Sequence, residues 1–296
     1  MKNIFIYGSA LLFFLGCVEP FDLELDKVKA RLVVQGLIEN NAGPHYIRLT
    51  KSNPGLNIED HGPIVVEDAT VIITDDFGQT ETLDLIPKKD ELDPYDTFGG
   101  FYKTSNFIGV EGRTYSIKIT TIEGKIYTAS DYMQPISKID SIKFQNVMGG
   151  DKSDYYVPSL YFKDPQENEE NRYLVQLNEE ENVKVGYGGS WNDLWEFAIL
   201  SDKYFQPGKT GVSIDNGGGP RDWGWHNYML GDLAYIRMNS LSDQSYNYYK
   251  FLLEQFQQDG GAYKPSPASP PTNISNGGLG FFRASAVAEA EAIVGE

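Results

Sequence analysis

Residues 114–132, TYSIKITTIEGKIYTASDY, alternate in polarity with a strict period of two. Tyr115, Ile117 and Ile119 fall on one side; Ser116, Lys118 and Thr120 fall on the other. That is the signature of an antiparallel strand with one face in a core. Glu123-Gly124 turns the chain and 126–132 returns. A segment of this kind is stable only when its apolar face meets another sheet, so it commits the surrounding chain to a layered β-structure. The same pattern recurs upstream. Leu32, Val34 and Gly36 alternate with Val33, Gln35 and Leu37, and YIRLT (46–50) follows the turn NNAGP. ATVIIT (69–74) and TETLDLI (80–86) flank Asp75-Asp76-Phe77-Gly78, a turn-forming tip, and FYK (101–103) resumes pairing. Some seven strands in about 105 residues predict an immunoglobulin-like β-sandwich over 30–135.

QPIS (134–137) reads as a hinge, and KIDSIKFQNV (138–147) opens a second β-rich domain over 136–296. Further strands are expected at 155–162, 172–178 and 233–239. One amphipathic helix is expected near 242–259. Ser240 or Ser242 caps it, Asp243 favours its first turn, and Tyr249, Leu252, Leu253 and Phe256 form one stripe. Gly260-Gly261 ends it. The expected fold class is therefore mainly β, with a single C-terminal helix. The tail is Pro-rich, then Gly-rich, and its last stretch, FFRASAVAEAEAIVGE, takes no assignment.

Ahead of this lies a leader. Lys2 precedes an apolar run over 4–15, too short to span a hydrocarbon core of roughly 30 Å, and Gly16 stands before Cys17, the only cysteine. The segment resembles a lipoprotein signal: cleavage before Cys17, acylation of its thiol, a signal peptide over 1–16 and an acidic tether over 17–29. The alternative is an ordinary secretory signal with an incidental cysteine. No other cysteine remains for a disulfide or a thiolate metal site.

With 42 Asp and Glu against 25 Lys and Arg, the chain is a poor match for nucleic-acid phosphates or anionic lipid. Any attachment to a membrane then falls to acyl chains. The catalytic search is negative. The histidines, His45, His61 and His226, fit no zinc motif. Gly188-Gly189-Ser190-Trp191-Asn192 has Asn192 where a nucleophile elbow needs glycine. No cofactor is expected, with bound calcium as the one exception weighed, on Asp215-Asn216-Gly217 with Asp222 or on Asp90, Glu91, Asp93 and Asp96. Asp140-Ser141-Ile142 resembles a short O-glycosylation acceptor. All four tryptophans, Trp191, Trp195, Trp223 and Trp225, stand in a Gly-rich region. They are either a ligand- or partner-binding surface, since aromatic faces dominate contact energetics, or a local core.

Taken in order, the lipoprotein-type leader, RLVVQGLI, QPISKIDSIKF, ILSDKYF, SLSDQSYNYYKFL and PTNISNGGLGFF resemble the Bacteroidota lipoproteins grouped as the domain-of-unknown-function family DUF4249. The order and spacing of these segments carry the resemblance, over nearly the whole mature chain. It implies an outer-membrane lipoprotein, at the cell surface more than at the periplasmic face, working beside a TonB-dependent receptor. The expected role is a non-catalytic binding or accessory subunit. The alternatives are a structural component of an envelope assembly and, further off, a cryptic hydrolase built on acidic residues.

Overall fold

The computed structural model describes residues 29–53, 64–88, 100–147, 155–163, 169–178, 197–204, 211–213, 228–257 and 268–295. The first sandwich is made by β1 (Leu32–Glu39), β2 (Tyr46–Lys51), β3 (Ile64–Val65), β4 (Thr70–Asp75), β5 (Thr80–Thr82), β6 (Asp84–Ile86), β7 (Phe101–Lys103), β8 (Thr114–Thr120) and β9 (Ile126–Tyr132). One sheet runs β1-β2-β7-β6, with β3 also on β2; the other runs β5-β4-β8-β9. The period-two pattern is realised as expected: Tyr115, Ile117 and Ile119 are buried beside Val71, Ile73, Val34 and Leu49 in one core. Leu83 alone separates β5 from β6, so the chain crosses between sheets there and closes that seam covalently. The Asp75 tip is an Asx turn. Its carboxylate accepts from the amides of Phe77 (3.0 Å) and Gln79 (2.8 Å) and pairs with Arg113 at 2.7 Å.

The second sandwich pairs β10 (Ile139–Val147), β11 (Tyr155–Phe162) and β14 (Gly211–Ser213) against a sheet ordered β13-β12-β15-β17. The latter comprises β12 (Arg172–Asn178), β13 (Phe197–Ser201), β15 (Leu233–Leu241) and β17 (Val287–Ile293). Leu160, Phe162, Tyr173, Val175, Ile236 and Met238 fill the space between the two sheets. The single long helix among the described residues, α1 (Asp243–Gln257), covers the outer face of the second sheet, where Tyr246, Tyr249 and Leu253 pack on Leu174, Phe197 and Leu241. Its cap is Ser242, whose Oγ accepts from the Ser245 amide at 3.1 Å; Ser240 remains in β15. The chain is thus mainly β: an immunoglobulin-like sandwich followed by a β-rich half with one amphipathic helix. No described helix is long and apolar enough to cross a membrane.

The tail that local pattern left unassigned ties the halves together. β16 (Leu279–Ser285) pairs parallel with β1, Val33 beside Leu279 and Glu39 beside Ser285. After one residue, Ala286, the chain becomes β17 in the other sandwich, antiparallel to β15. An edge strand presents unpaired backbone groups, which when buried cost free energy unless satisfied. Here side chains satisfy them at alternate positions. The amide of Phe282 donates to Asn273 Oδ1 (3.0 Å), that of Ala284 to Asp131 Oδ2 (3.0 Å) and that of Ala286 to Ser240 Oγ (2.9 Å). The carbonyls of Gly280 and Phe282 accept from Thr272 Oγ1 (2.7 Å) and Asn273 Nδ2 (2.8 Å).

An ion pair adds a second tie. Arg237 of β15 donates to the buried carboxylate of Glu39 at the end of β1 and lies 3.2 Å from Glu289 of β17. Removing one member of a mostly buried pair strands the other charge, at a cost of about 3–5 kcal/mol. Arg237→Met is therefore expected to lower the urea midpoint more than the double variant Arg237→Met/Glu39→Gln. Equal loss in both would show that the pair contributes no coupling. At Gly280, φ is +82° and an added Cβ would overlap the carbonyl of Val34, so the parallel pairing requires glycine there. Gly280→Ala should destabilise by roughly 2–4 kcal/mol through backbone strain and overpacking. An unchanged thermal midpoint would contradict that close approach.

Candidate functional site

The two sandwiches leave a cleft of about 470 Å³ where β9, the start of β12 and the N-terminus of α1 meet. Asp131 reaches it from β9. Tyr127, Ala129 and Asp131 all point inward by strand parity, so this carboxylate occupies a core position and is buried. It accepts from the hydroxyl of Ser242 and from the Ala284 amide. Burial pushes its pKa up to about 6, against the opposing pull of the Ser242 hydroxyl, the Ala284 and Tyr132 amides and the charge of Arg283.

Arg172 begins β12 and supplies the cation of the lining. Its guanidinium pairs with Glu170 (3.0 Å) and with Asp243 in the first turn of α1, and it lies 5.5 Å from the Tyr246 ring centroid. The hydrogen bond from Ser201 Oγ (2.7 Å), and then the charge of Arg172, hold the Glu170 carboxyl below its ordinary range. Glu169 completes a lining in which carboxylates outnumber the one guanidinium. Asn171 behind it is locked to Asp202 through its side-chain amide (2.8 Å).

Chemically this arrangement holds its own elements in place. Ser242 donates to a carboxylate and accepts from a helix amide, so its oxygen is engaged as a cap. His45, the histidine within the described residues, is buried in the first sandwich. Burial lowers its pKa, although Glu39 and nearby backbone carbonyls pull it upward. Among the described residues no group of three or more His, Cys, Asp or Glu is placed to hold a metal ion.

Cys17, Trp191, Trp195, Trp223 and Trp225 lie outside the described residues, as do His61, His226 and both acidic groups weighed for calcium. Ser141 is exposed on β10, at a register shift in its pairing with β11. Sequence reasoning reaches Ser242 only as a helix cap, and it misses Asp131 and Arg172. For Asp131 the signal is present: counting by two from Tyr127 places a carboxylate on the apolar face of the strand. Arg172 carries no such mark, because its partners arrive from residues 170 and 243.

The Asp131 titration has a defined sign. A folded pKa near 6, above the ordinary 3.8, means that this carboxyl contributes most below about pH 4, and that the contribution fades as pH rises through 6. At 1.36 kcal/mol per unit the change is roughly 3 kcal/mol. Relative to the wild type, Asp131→Asn should gain about that much stability between pH 4 and pH 7. Parallel urea-midpoint curves for the two proteins would contradict the burial of an ionisable Asp131.

A family model described as "Domain of unknown function (DUF4249)" matches residues 18–291. No curated protein matches the sequence. A solved structure of chicken CNTN1 FN1-FN3 domains is similar at 11% identity with a TM-score of 0.24, covering 70% of this chain and 59% of that one. A score that low carries no structural equivalence.

Proposed function

The chain belongs to the DUF4249 family, and we propose that it acts as a lipid-anchored, non-catalytic binding or accessory subunit of a TonB-dependent outer-membrane receptor. The observation that carries this reading is the polarity of the folded body. β16 and β17 run in succession from one sandwich into the other, so Val33, beside Leu279, marks one end of that run and Leu233, beside Ile293, marks the other. Extended chain at 3.3 Å per residue covers at most about 50 Å over that run. Cys17 precedes the first end in the chain: the described residues begin at Lys29, and β1 starts at Leu32. At the other end lie Asn178, which pairs with Tyr235, and Phe197, which pairs with Gln176; they border the segment carrying Trp191 and Trp195. The carbonyl of Tyr228, which follows Trp223 and Trp225 in the chain, accepts from the Tyr156 amide near that same end.

Entry of the chain at one end of the run, with the borders of the tryptophan-bearing segments at the other, suits a protein that presents a binding surface away from its membrane. The acidic, mutually bonded cleft at Asp131 supports a structural junction over a reaction centre. On this reading the protein sits at the outer membrane, with its surface face favoured, and binds through Trp191, Trp195, Trp223 and Trp225. The test is a mild-detergent pull-down of the tagged protein beside a Cys17→Ala control, read by mass spectrometry. A β-barrel receptor co-eluting with the acylated form alone is the expected result. Recovery of both forms without a receptor would overturn the accessory role, and a stable envelope complex lacking one would favour the assembly alternative.

A further inference from the structure

The end of the first sandwich at which the chain enters gathers residues from both sheets. The amide of Arg31 donates to Ser52 Oγ (2.9 Å) and the amide of Ser52 to the Arg31 carbonyl (2.9 Å), extending the β1–β2 ladder past the Leu32–Lys51 pair. Lys51 in turn pairs with Ile64. From the opposite sheet comes the β8–β9 turn, closed by the Thr121 amide on the Lys125 carbonyl. The segment before β16 joins the two. Arg31 donates to the carbonyls of Gly277 (2.7 Å) and Gly278 (3.3 Å), while Asn276 Nδ2 donates to the carbonyl of Ile126 (3.1 Å).

We propose that this end is a lipid-facing surface, in which Arg31, Lys51 and Lys125 meet headgroup phosphates around the exposed side chains of Ile64, Ile122 and Ile126. The proposal rests on the lipid-anchored reading above. Two independent observations favour a phospholipid surface. The chain carries a formal charge of −17, yet among the described residues Arg31, Lys51 and Lys125 gather at this end beside the carboxylates of Glu123, on the same turn, and Asp68, two residues ahead of the Thr70–Thr120 pair. The isoleucines are 57%, 71% and 47% exposed, so apolar side chains project between those cations. The attraction of a few cations to an anionic surface is too weak to hold an acidic protein, but enough to orient one already tethered. The tether alone does not impose that orientation. The stretch from Cys17 to Lys29 is acidic, and a dozen extended residues reach roughly 40 Å, far enough for the body to swing free.

The test couples the Cys17 thiol of the mature chain to a maleimide-headgroup lipid in vesicles of phosphatidylethanolamine and phosphatidylglycerol. Lysine acetylation is then followed by mass spectrometry, against the same chain capped with a small maleimide in solution. Lys51 and Lys125 should react several-fold more slowly on vesicles, with Lys138 and Lys143 unchanged, and Ile122→Asp should restore the solution rate. Solution-like rates at Lys51 and Lys125, or equal protection of all four lysines, would overturn the proposal. The tether is chemical, so the outcome is independent of acylation in the cell. Absence of acyl chains on Cys17 from membranes would sink the anchor reading alone.

Discussion

The structure depends on how one strand edge is satisfied. β16 takes its first partner, β1, in parallel, and along its other edge side chains stand in for a strand. Asn273, Asp131 and Ser240 take the outward amides of Phe282, Ala284 and Ala286. Those acceptors come from the segment before the strand, from the opposite sheet of the first sandwich and from the second sandwich. Three regions of the chain therefore meet along one edge. The Ser240 hydroxyl also donates to the Gln134 carbonyl (2.7 Å), and the Ser240 amide donates to the Ala286 carbonyl, so the connection between the halves is anchored at the same place.

This arrangement accounts for the unusual position of Asp131. A carboxylate on the apolar face of a strand is costly to bury unless hydrogen bonds replace its hydration. Here it receives an amide from β16 and a hydroxyl from the cap of α1, which fixes the start of the helix relative to both sandwiches. The polar cleft outside it follows from the same geometry. The first turn of α1 and the start of β12 bring Asp243, Glu170 and Arg172 into contact, and their charges are mostly spent on one another.

The local parts of the fold were legible because they are written locally. Alternation at Tyr115, Ile117 and Ile119 gives the strand, Asp75 gives the turn, and Ser242 with the stripe at Tyr249 and Leu253 gives the helix. Leu252 was expected on that stripe as well; Tyr246 instead packs beside Tyr249 and Leu253, and the Phe256 side chain lies outside those described. The last strands were not legible. β17 reads VAEAEAI, in which only Ala288 is buried, and alanine is a weak strand former. The pairing of β16 with β1 has no local sign at all, since register between remote segments is set by tertiary packing. The cleft shares that difficulty, as its members come from residues 131, 170, 172 and 243.

The contact between Arg31 and Gly277 spans 246 positions. A loop of that size is entropically expensive to close, and contacts of such separation form slowly. The first sandwich is therefore the first half to be synthesised and among the last to be finished, because its edge strand is supplied near the end of the chain. Until residues 279–285 arrive, the β1 edge stays open to any other strand that reaches it. A chain of this design is vulnerable to mispairing early and becomes secure only when nearly all of it is present.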